Sequence, residues 1–296
     1  MPLPWSRSVC LRVAPDAVCA TLAQGWPHAK VVARANHSVD GPFPTTARAA
    51  QSPSVGANDA LSSALDAVLL KLAESRPLRG ARLDIELADA LVHLDTVAGE
   101  FIGNGERQLQ SIAAACVTEL LGDAAPDHDI RWQLQSGGKH LLIGAMARSH
   151  IQAFTEAARR HRLRLRSVQP DFCLQWNRHA ASLKPGSAVF AVASGSDAVV
   201  AHVMQGAVTA VSSGCWLDRD SNVGASRLHV KRLMCGLGLD PAATAGALDI
   251  RVGRLLASVG QDEAAQSGFV LVAPQTSEHA LSSRWTVINR AEQTAP

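Results

Sequence analysis

The sequence predicts an α/β fold in two lobes, each with a mixed sheet and flanking helices. Three observations carry this. Short apolar runs with valines at near-alternate positions are separated by Pro-Asp, Gly-Ser-Asp and Gln-Gly turns, the pattern of strands in hairpins. Between them lie segments whose apolar residues recur at helical spacing. The order also repeats: an N-terminal set of hairpin, helix and strand precedes a C-terminal set of meander, helix and strand, as in a duplicated α/β architecture. A chain of 296 residues is long enough for one large domain or two lobes.

Ser8–Val13 and Ala17–Ala23 form the first hairpin around Ala14-Pro15-Asp16, and Ala29–Ala35 adds a third strand. A Pro- and Ser-rich loop follows over 40–57. Asn58 or Asp59 caps a helix to about Ser75, with Leu61, Leu65, Val68, Leu69 and Leu72 on one face. Ala81–Leu87 alternates as a half-buried strand, with Ala90–Val97 as its expected partner. Gly103-Asn104-Gly105 leads into a helix over Glu106–Leu121, and Asp123–Asp129 reads as a polar loop. Ile130–Gln135 and His140–Ala145 make a hairpin around Ser136-Gly137-Gly138-Lys139. A helix over Ser149–His161 ends in the basic run Arg159, Arg160, His161, Arg162, Arg164 and Arg166, where positive charge complements the helix dipole and accounts for much of the cluster; a partner or nucleic-acid patch is the alternative reading. A strand over Leu163–Val168 precedes a helix from Phe172 to Ser182, opened by Pro170-Asp171. The meander Ala188–Gly214 (AVFAVASGSDAVVAHVMQGAVTAVSSG) follows, then a helix over Ala225–Leu237. Ala247–Ile250, Phe269–Ala273 and Trp285–Ile288 are candidate strands, with Arg251–Ser258 open between strand end and helix.

Composition narrows the function classes. A net charge of +2 argues against polyanion binding by bulk charge, and the absence of Tyr against aromatic stacking on single-stranded nucleic acid. The six Cys form no CxxC pair and read as reduced, buried thiols. No run approaches the roughly 20 apolar residues of a membrane span, and the first residues lack a signal-peptide pattern. A cytoplasmic chain is expected, meeting the membrane only through a partner.

Motifs that invite chemistry fall short of it. Gly137-Gly138-Lys139 lacks the GxxxxGK[ST] spacing and reads as a hairpin turn, and Gly103-Asn104-Gly105 lacks a third Gly. Asp127-His128-Asp129 reads as a solvated loop, since successive side chains diverge. Ser196 sits in no GxSxG elbow, and His202 reads as a sheet-face histidine.

One ordered set of segments is distinctive: HLLIGAMA from His140, the helix to His161, RLRLRSVQPDFCLQW, then the meander. This order resembles the actin-like (ribonuclease H-like) fold of the type IV pilus assembly protein PilM and of the cytoplasmic domain of the type II secretion protein GspL. Val168-Gln169-Pro170-Asp171-Phe172 stands where that family opens the helix joining its lobes, and Gln205-Gly206 matches its later hairpin turn. The resemblance implies an N-terminal actin-like lobe over 1–168, with an inserted subdomain around 98–147, and a C-terminal lobe over 169–296.

The chain departs from the nucleotide-binding members where their metal chemistry lies. Those members carry an Asp in each leading hairpin, because Mg²⁺ is held by oxygen ligands. Here Arg12-Val13-Ala14 and Ala193-Ser194-Gly195 occupy these places, and Val272-Ala273-Pro274-Gln275 stands where an adenosine-binding Gly-Gly turn is expected. The resemblance thus implies a degenerate member, a scaffold without a cofactor. Its partner would be a cytoplasmic peptide or domain of an inner-membrane pilus or secretion protein, as PilN is for PilM, and homo-oligomers are compatible with it. The alternative is an ATP-binding enzyme of the actin and sugar-kinase class. Asp16 or Asp197 would then meet Mg²⁺, and Ser194, Gly195 and Ser196 would offer backbone N–H groups to phosphate.

Overall fold

The computed structural model describes residues 7–25, 30–39, 55–180, 186–194, 197–215, 232–239, 250–253 and 269–271. The expected leading hairpin is β1 (Arg7–Ala14) and β2 (Ala17–Gln24), extended by β3 (Lys30–Ser38). On the other side of β1, β4 (Arg82–Leu87) and then β8 (Arg164–Pro170) add in parallel, giving the order β3-β2-β1-β4-β8. Alternation decides the faces. Val9, Leu11, Val13, Val18, Ala20, Leu22, Leu83, Ile85 and Leu87 are all buried on one side. They share a core with Leu61, Leu65, Val68, Leu69 and Leu72 of α1 (Val55–Ser75) and with Phe154 and Ala157 of α3 (Arg148–Arg160). Each Val, Leu, Ile or Phe side chain among these contributes about 1.5–3 kcal/mol of burial.

A three-stranded antiparallel sheet intervenes between β4 and α3, in the order β5 (His93–Ala98), β7 (His140–Ala147), β6 (His128–Leu134). Its apolar face packs Leu141, Ile143 and Ala145 against Leu109, Ala113 and Val117 of α2 (Glu106–Leu121). Ser136–Lys139 is the expected hairpin turn joining antiparallel strands, with Gly137 and Gly138 at φ +82° and +69°.

The meander is β9 (Ser187–Ser194), β10 (Asp197–Met204) and β11 (Ala207–Cys215), joined by Gln205-Gly206 with both residues at positive φ, as a two-residue hairpin turn requires. Beside β9, β12 (Ile250–Gly253) and β13 (Phe269–Leu271) add in parallel, in the order β11-β10-β9-β12-β13. Each five-stranded sheet thus starts as a three-stranded meander whose first strand takes a later, parallel partner. The repeated order read from the sequence is a repeated topology. A helical turn over 232–236 sets Met234 against Val189, Ala191 and Val200.

α4 (Asp171–His179) joins the two systems, and six consecutive residues from Asp171 to Trp176 are buried. Phe172 and Trp176, four apart on one face, both meet Phe190 of β9 edge-on, at centroid distances of 5.7 and 5.5 Å.

Several expectations are corrected. Ala90–Val97 is not the partner of β4: Asp89–Leu91 is a 3-10 turn, and β5 pairs with β7. The run is apolar enough for either pairing, and β4 finds both of its neighbours elsewhere. α1 begins at Val55, so Asn58 and Asp59 lie inside it and do not cap it. Asp127-His128-Asp129 is no solvated loop: Gly122–Asp127 is a 3-10 turn, and β6 starts at His128, which is buried with Nδ1 2.8 Å from the Ala124 carbonyl. Of the expected strand Ala247–Ile250 only Ile250 is among the described residues, and it lies in strand together with 251–253. Cys10, Cys19, Cys116, Cys173 and Cys235 are free thiols; of these five only Cys173 is buried, against the expectation of buried thiols, and Cys19 and Cys235 are exposed. Residues 40–54, 225–231, 272–275 and 285–288 lie outside the described residues, and with them most of the expected Pro-rich loop, the start of the 225–237 helix, the Val272–Gln275 position and the last candidate strand. No described helix is long and apolar enough to cross a membrane.

Candidate functional site

β1, β4 and β8 run parallel, so their carboxyl ends open on one side. On the sheet face opposite α1, the register aligns Arg12 with Glu86 and Glu86 with Gln169. The chain then leaves β4 into the Asp89–Leu91 turn and leaves β8 directly into α4. Two buried carboxylates, Asp89 and Asp171, therefore stand at the ends of adjacent parallel strands.

Each acid there has a partner within the chain. Both oxygens of Asp89 accept the Phe172 N–H, at 2.9 and 3.1 Å. This N–H belongs to the first turn of α4, whose donors lack intrahelical acceptors, and a carboxylate there also faces the positive helix end. Asp171 Oδ1 accepts from Gln175 Nε2 at 3.0 Å, and Oδ2 lies 3.6 Å from Arg12 Nη2. Glu86 Oε1 is 4.0 Å from Arg178 Nη2. Asp171, Gln175 and Arg178 are spaced i, i+4, i+7, so α4 turns a polar stripe toward the sheet and its aromatic stripe toward β9. Cys173, buried in the same helix, has its thiol pKa pushed up by burial and by the Asp89 charge.

Asp89→Ala is expected to destabilise the chain by about 2–3 kcal/mol, since the charge-assisted bond to a buried N–H is lost without replacement. Asp89→Asn, which keeps one acceptor, should lose less than half of that. Urea unfolding checks it; equal losses for the two would refute a capping role.

The residues singled out from sequence are placed as follows. Asp16 lies in the β1–β2 turn and is exposed, and its carbonyl accepts the Val39 N–H at 2.9 Å. Ser194 ends β9 and Asp197 begins β10, as cross-strand partners. Gly195 and Ser196 lie outside the described residues. His202 is a sheet-face histidine, as expected, with Nδ1 3.2 Å from Thr209 Oγ1. Among the described residues no three His, Cys, Asp or Glu side chains come together as a metal-ligand set. Sequence reasoning missed Asp89, Glu86 and Arg178. The spacing of Asp171, Gln175 and Arg178 at i, i+4 and i+7 in the nine-residue helix was the available signal; Asp89 left none.

Comparison with family models yields no match. Comparison with curated protein sequences yields none either. Among solved structures, a Bacteroides thetaiotaomicron protein of actin-like ATPase fold and unknown function aligns with a TM-score of 0.52 and 8% identity, over 90% of this chain and 90% of that one. The fold is actin-like. A second match of the same actin-like outline is the PilM–PilN type IV pilus biogenesis complex, with a TM-score of 0.53 and 12% identity over 89% and 87% of the chains. The cytoplasmic domain of EpsL, an inner-membrane component of the Vibrio cholerae type II secretion system, aligns with a TM-score of 0.46 and 11% identity over 83% and 82%. In actin-like terms, β1–β2 and β9–β10 are the two leading hairpins, and α4 crosses from one sheet to the other.

Proposed function

We propose that the chain is a non-catalytic scaffold of a type IV pilus or type II secretion platform, lying on the cytoplasmic side of the inner membrane and binding a cytoplasmic segment of a membrane partner. One observation carries the non-catalytic part. Arg12 stands on the leading strand and is ion-paired to Asp171, while Asp89 and Glu86 are engaged by the α4 backbone and by Arg178. A site for Mg²⁺-phosphate needs carboxylates turned to a hard cation; here the acids are turned inward to hold a helix. The partner class is supported by the likeness to PilM in its complex with PilN. The lobes of this scaffold are residues 1–168, carrying the inserted sheet, and 169–296.

The test is capture of the full chain by immobilised cytoplasmic segments of the inner-membrane proteins encoded beside it. Specific capture of one segment is expected; no capture, with normal piliation and secretion in a deletion strain, would sink the proposal. The rival reading, an ATP site using Asp16, Asp197 and the Ser194–Ser196 backbone, rests on the retained β9–β10 hairpin. Calorimetry with Mg²⁺ and ATP separates the two: no heat is expected up to millimolar ATP, and saturable binding would replace the scaffold reading with the enzymatic one.

A further inference from the structure

The amino-terminal end of the parallel strands lies opposite the carboxylate end just described. Ser8, Arg82 and Arg164 are in register there. The ends of α1 and α3 reach the same level: Gly80 N–H bonds the Arg162 carbonyl at 2.8 Å, Arg164 N–H bonds the Ala81 carbonyl at 2.9 Å, and Arg7 donates to the Pro77 carbonyl. These bonds gather arginines from two segments about eighty positions apart. Arg76, Arg79, Arg82, Arg159, Arg162 and Arg164 are all exposed, and none belongs to an ion pair among the described residues. Their neighbours Arg160 and Arg166 are neutralised by Asp66 and Asp84, at 3.0 and 2.7 Å.

Helix dipoles account for only part of this. Two helix carboxyl ends supply about half a negative charge each, and exposed Glu74 and Glu156 supply one each. Six guanidinium groups therefore leave about three positive charges unbalanced, more than the whole chain's net +2. Two placements run against local preference. Arg82 and Arg164 are direct cross-strand partners of like charge. Arg162 occupies the left-handed position of the Schellman motif ending α3, at φ +55°, with Leu163 N–H bonded to the Ala158 carbonyl at 2.8 Å; that position favours glycine. Of the exposed large apolar residues among those described, Leu70, Ile102, Leu120 and Met204 are outside these terminal turns, while Val31, in register with Ser8 through Ala23, and its neighbour Val32 share this end of the sheet on β3, two strands beyond β1. Neither is an aromatic anchor of the kind that dominates protein interfaces. Exposed arginines gathered at one end of the fold suit a layer of phosphates, which each guanidinium fork can bind through two hydrogen bonds.

We propose that this arginine end docks the chain directly on an anionic phospholipid surface. The inference goes beyond the scaffold reading and does not rest on it, since no partner protein takes part. It also revises the expectation that the membrane is met only through a partner.

The experiment is flotation of the full chain with vesicles of phosphatidylcholine alone or with about a third phosphatidylglycerol. Binding is expected only to the anionic vesicles, and is expected to fall steeply between 50 and 300 mM salt, roughly in line with several released charges. Each lost arginine should weaken partitioning by roughly fivefold, so Arg79→Gln/Arg82→Gln/Arg164→Gln should weaken it by roughly a hundredfold. A charge-matched control, Arg107→Gln/Lys139→Gln/Arg232→Gln, should bind like the parent. Thermal melts confirm that both triple variants fold; should the first fail, Arg79→Gln/Arg162→Gly, which relieves the left-handed position, replaces it with an expected loss of roughly twenty-five-fold. Equal binding to neutral and anionic vesicles, equal loss in both triple variants, or binding to polyglutamate or duplex DNA without binding to anionic vesicles would each overturn the proposal.

Discussion

Phe190→Ala is expected to destabilise the chain by about 3–5 kcal/mol. Phe190 is 1% exposed and meets both Phe172 and Trp176 edge-on. Truncation removes a large buried surface and two ring pairs, each of which adds about 0.5–1.5 kcal/mol beyond area. It also opens a cavity between α4 and β9 that neighbouring backbone, fixed by two sheet ladders, fills poorly. Phe190→Leu keeps most of the volume and should lose less than half as much. The measurement is the urea midpoint of each variant, with Trp176→Ala and the double variant completing a cycle. The two truncations should be less than additive, because each already removes the shared contact. A loss below 1 kcal/mol, or strict additivity, would mean that α4 does not lean on β9 in solution.

Acidification should destabilise the fold through three histidines where the inserted sheet meets α3. His93 begins β5, His128 begins β6 and His150 lies in the first turn of α3; the His93 and His128 rings are 5.8 Å apart, edge to face. Burial, and then the charge of His128, push the pKa of His93 and of His150 down to about 4. In the unfolded chain each titrates near its ordinary value of about 6.5. Above that pH both states carry neutral imidazoles and stability is unaffected. As pH falls from 6.5 to 4 the unfolded chain takes up protons that the folded chain refuses, so stability falls, by on the order of 3–5 kcal/mol for the pair, with half-buried His93 contributing the smaller part. Carboxylates titrate in part of the same window, so the informative quantity is a difference. His150→Leu should lose less stability than the parent between pH 7 and pH 4.5, by about 2 kcal/mol. Parallel stability curves for parent and variant would contradict the assignment.

Most of the regular elements were legible because their signals are local. The β1–β2 hairpin follows from alternation around Pro15-Asp16, α1 from apolar spacing at three and four, and the meander from valine-rich runs broken by turn residues. The same locality explains the failures. Ala90–Val97 has strand-like composition, but composition does not say which strand it meets, and β7 claims it from more than 40 residues away. Asp127-His128-Asp129 looks solvated until β6 pairs with β7 and the His128 ring packs edge-on against His93. The N-terminus assigned to α1 erred because a good capping residue inside a helix looks the same, in sequence, as one at its start.

The candidate site divides in the same way. That Arg12 stands in the leading hairpin is written in the chain itself, as are the two meanders, the repeated order and the Asp171-Gln175-Arg178 stripe. What the stripe faces is decided only by tertiary structure. Asp89 closes a helix 83 residues further on, Arg12 reaches Asp171 across the parallel strands, and arginines eighty positions apart meet at the opposite end. Periodicity and turn chemistry act over a few residues and can be read one window at a time. Partner choice among strands and charges depends on how all the apolar faces are buried at once, and only the folded chain settles it.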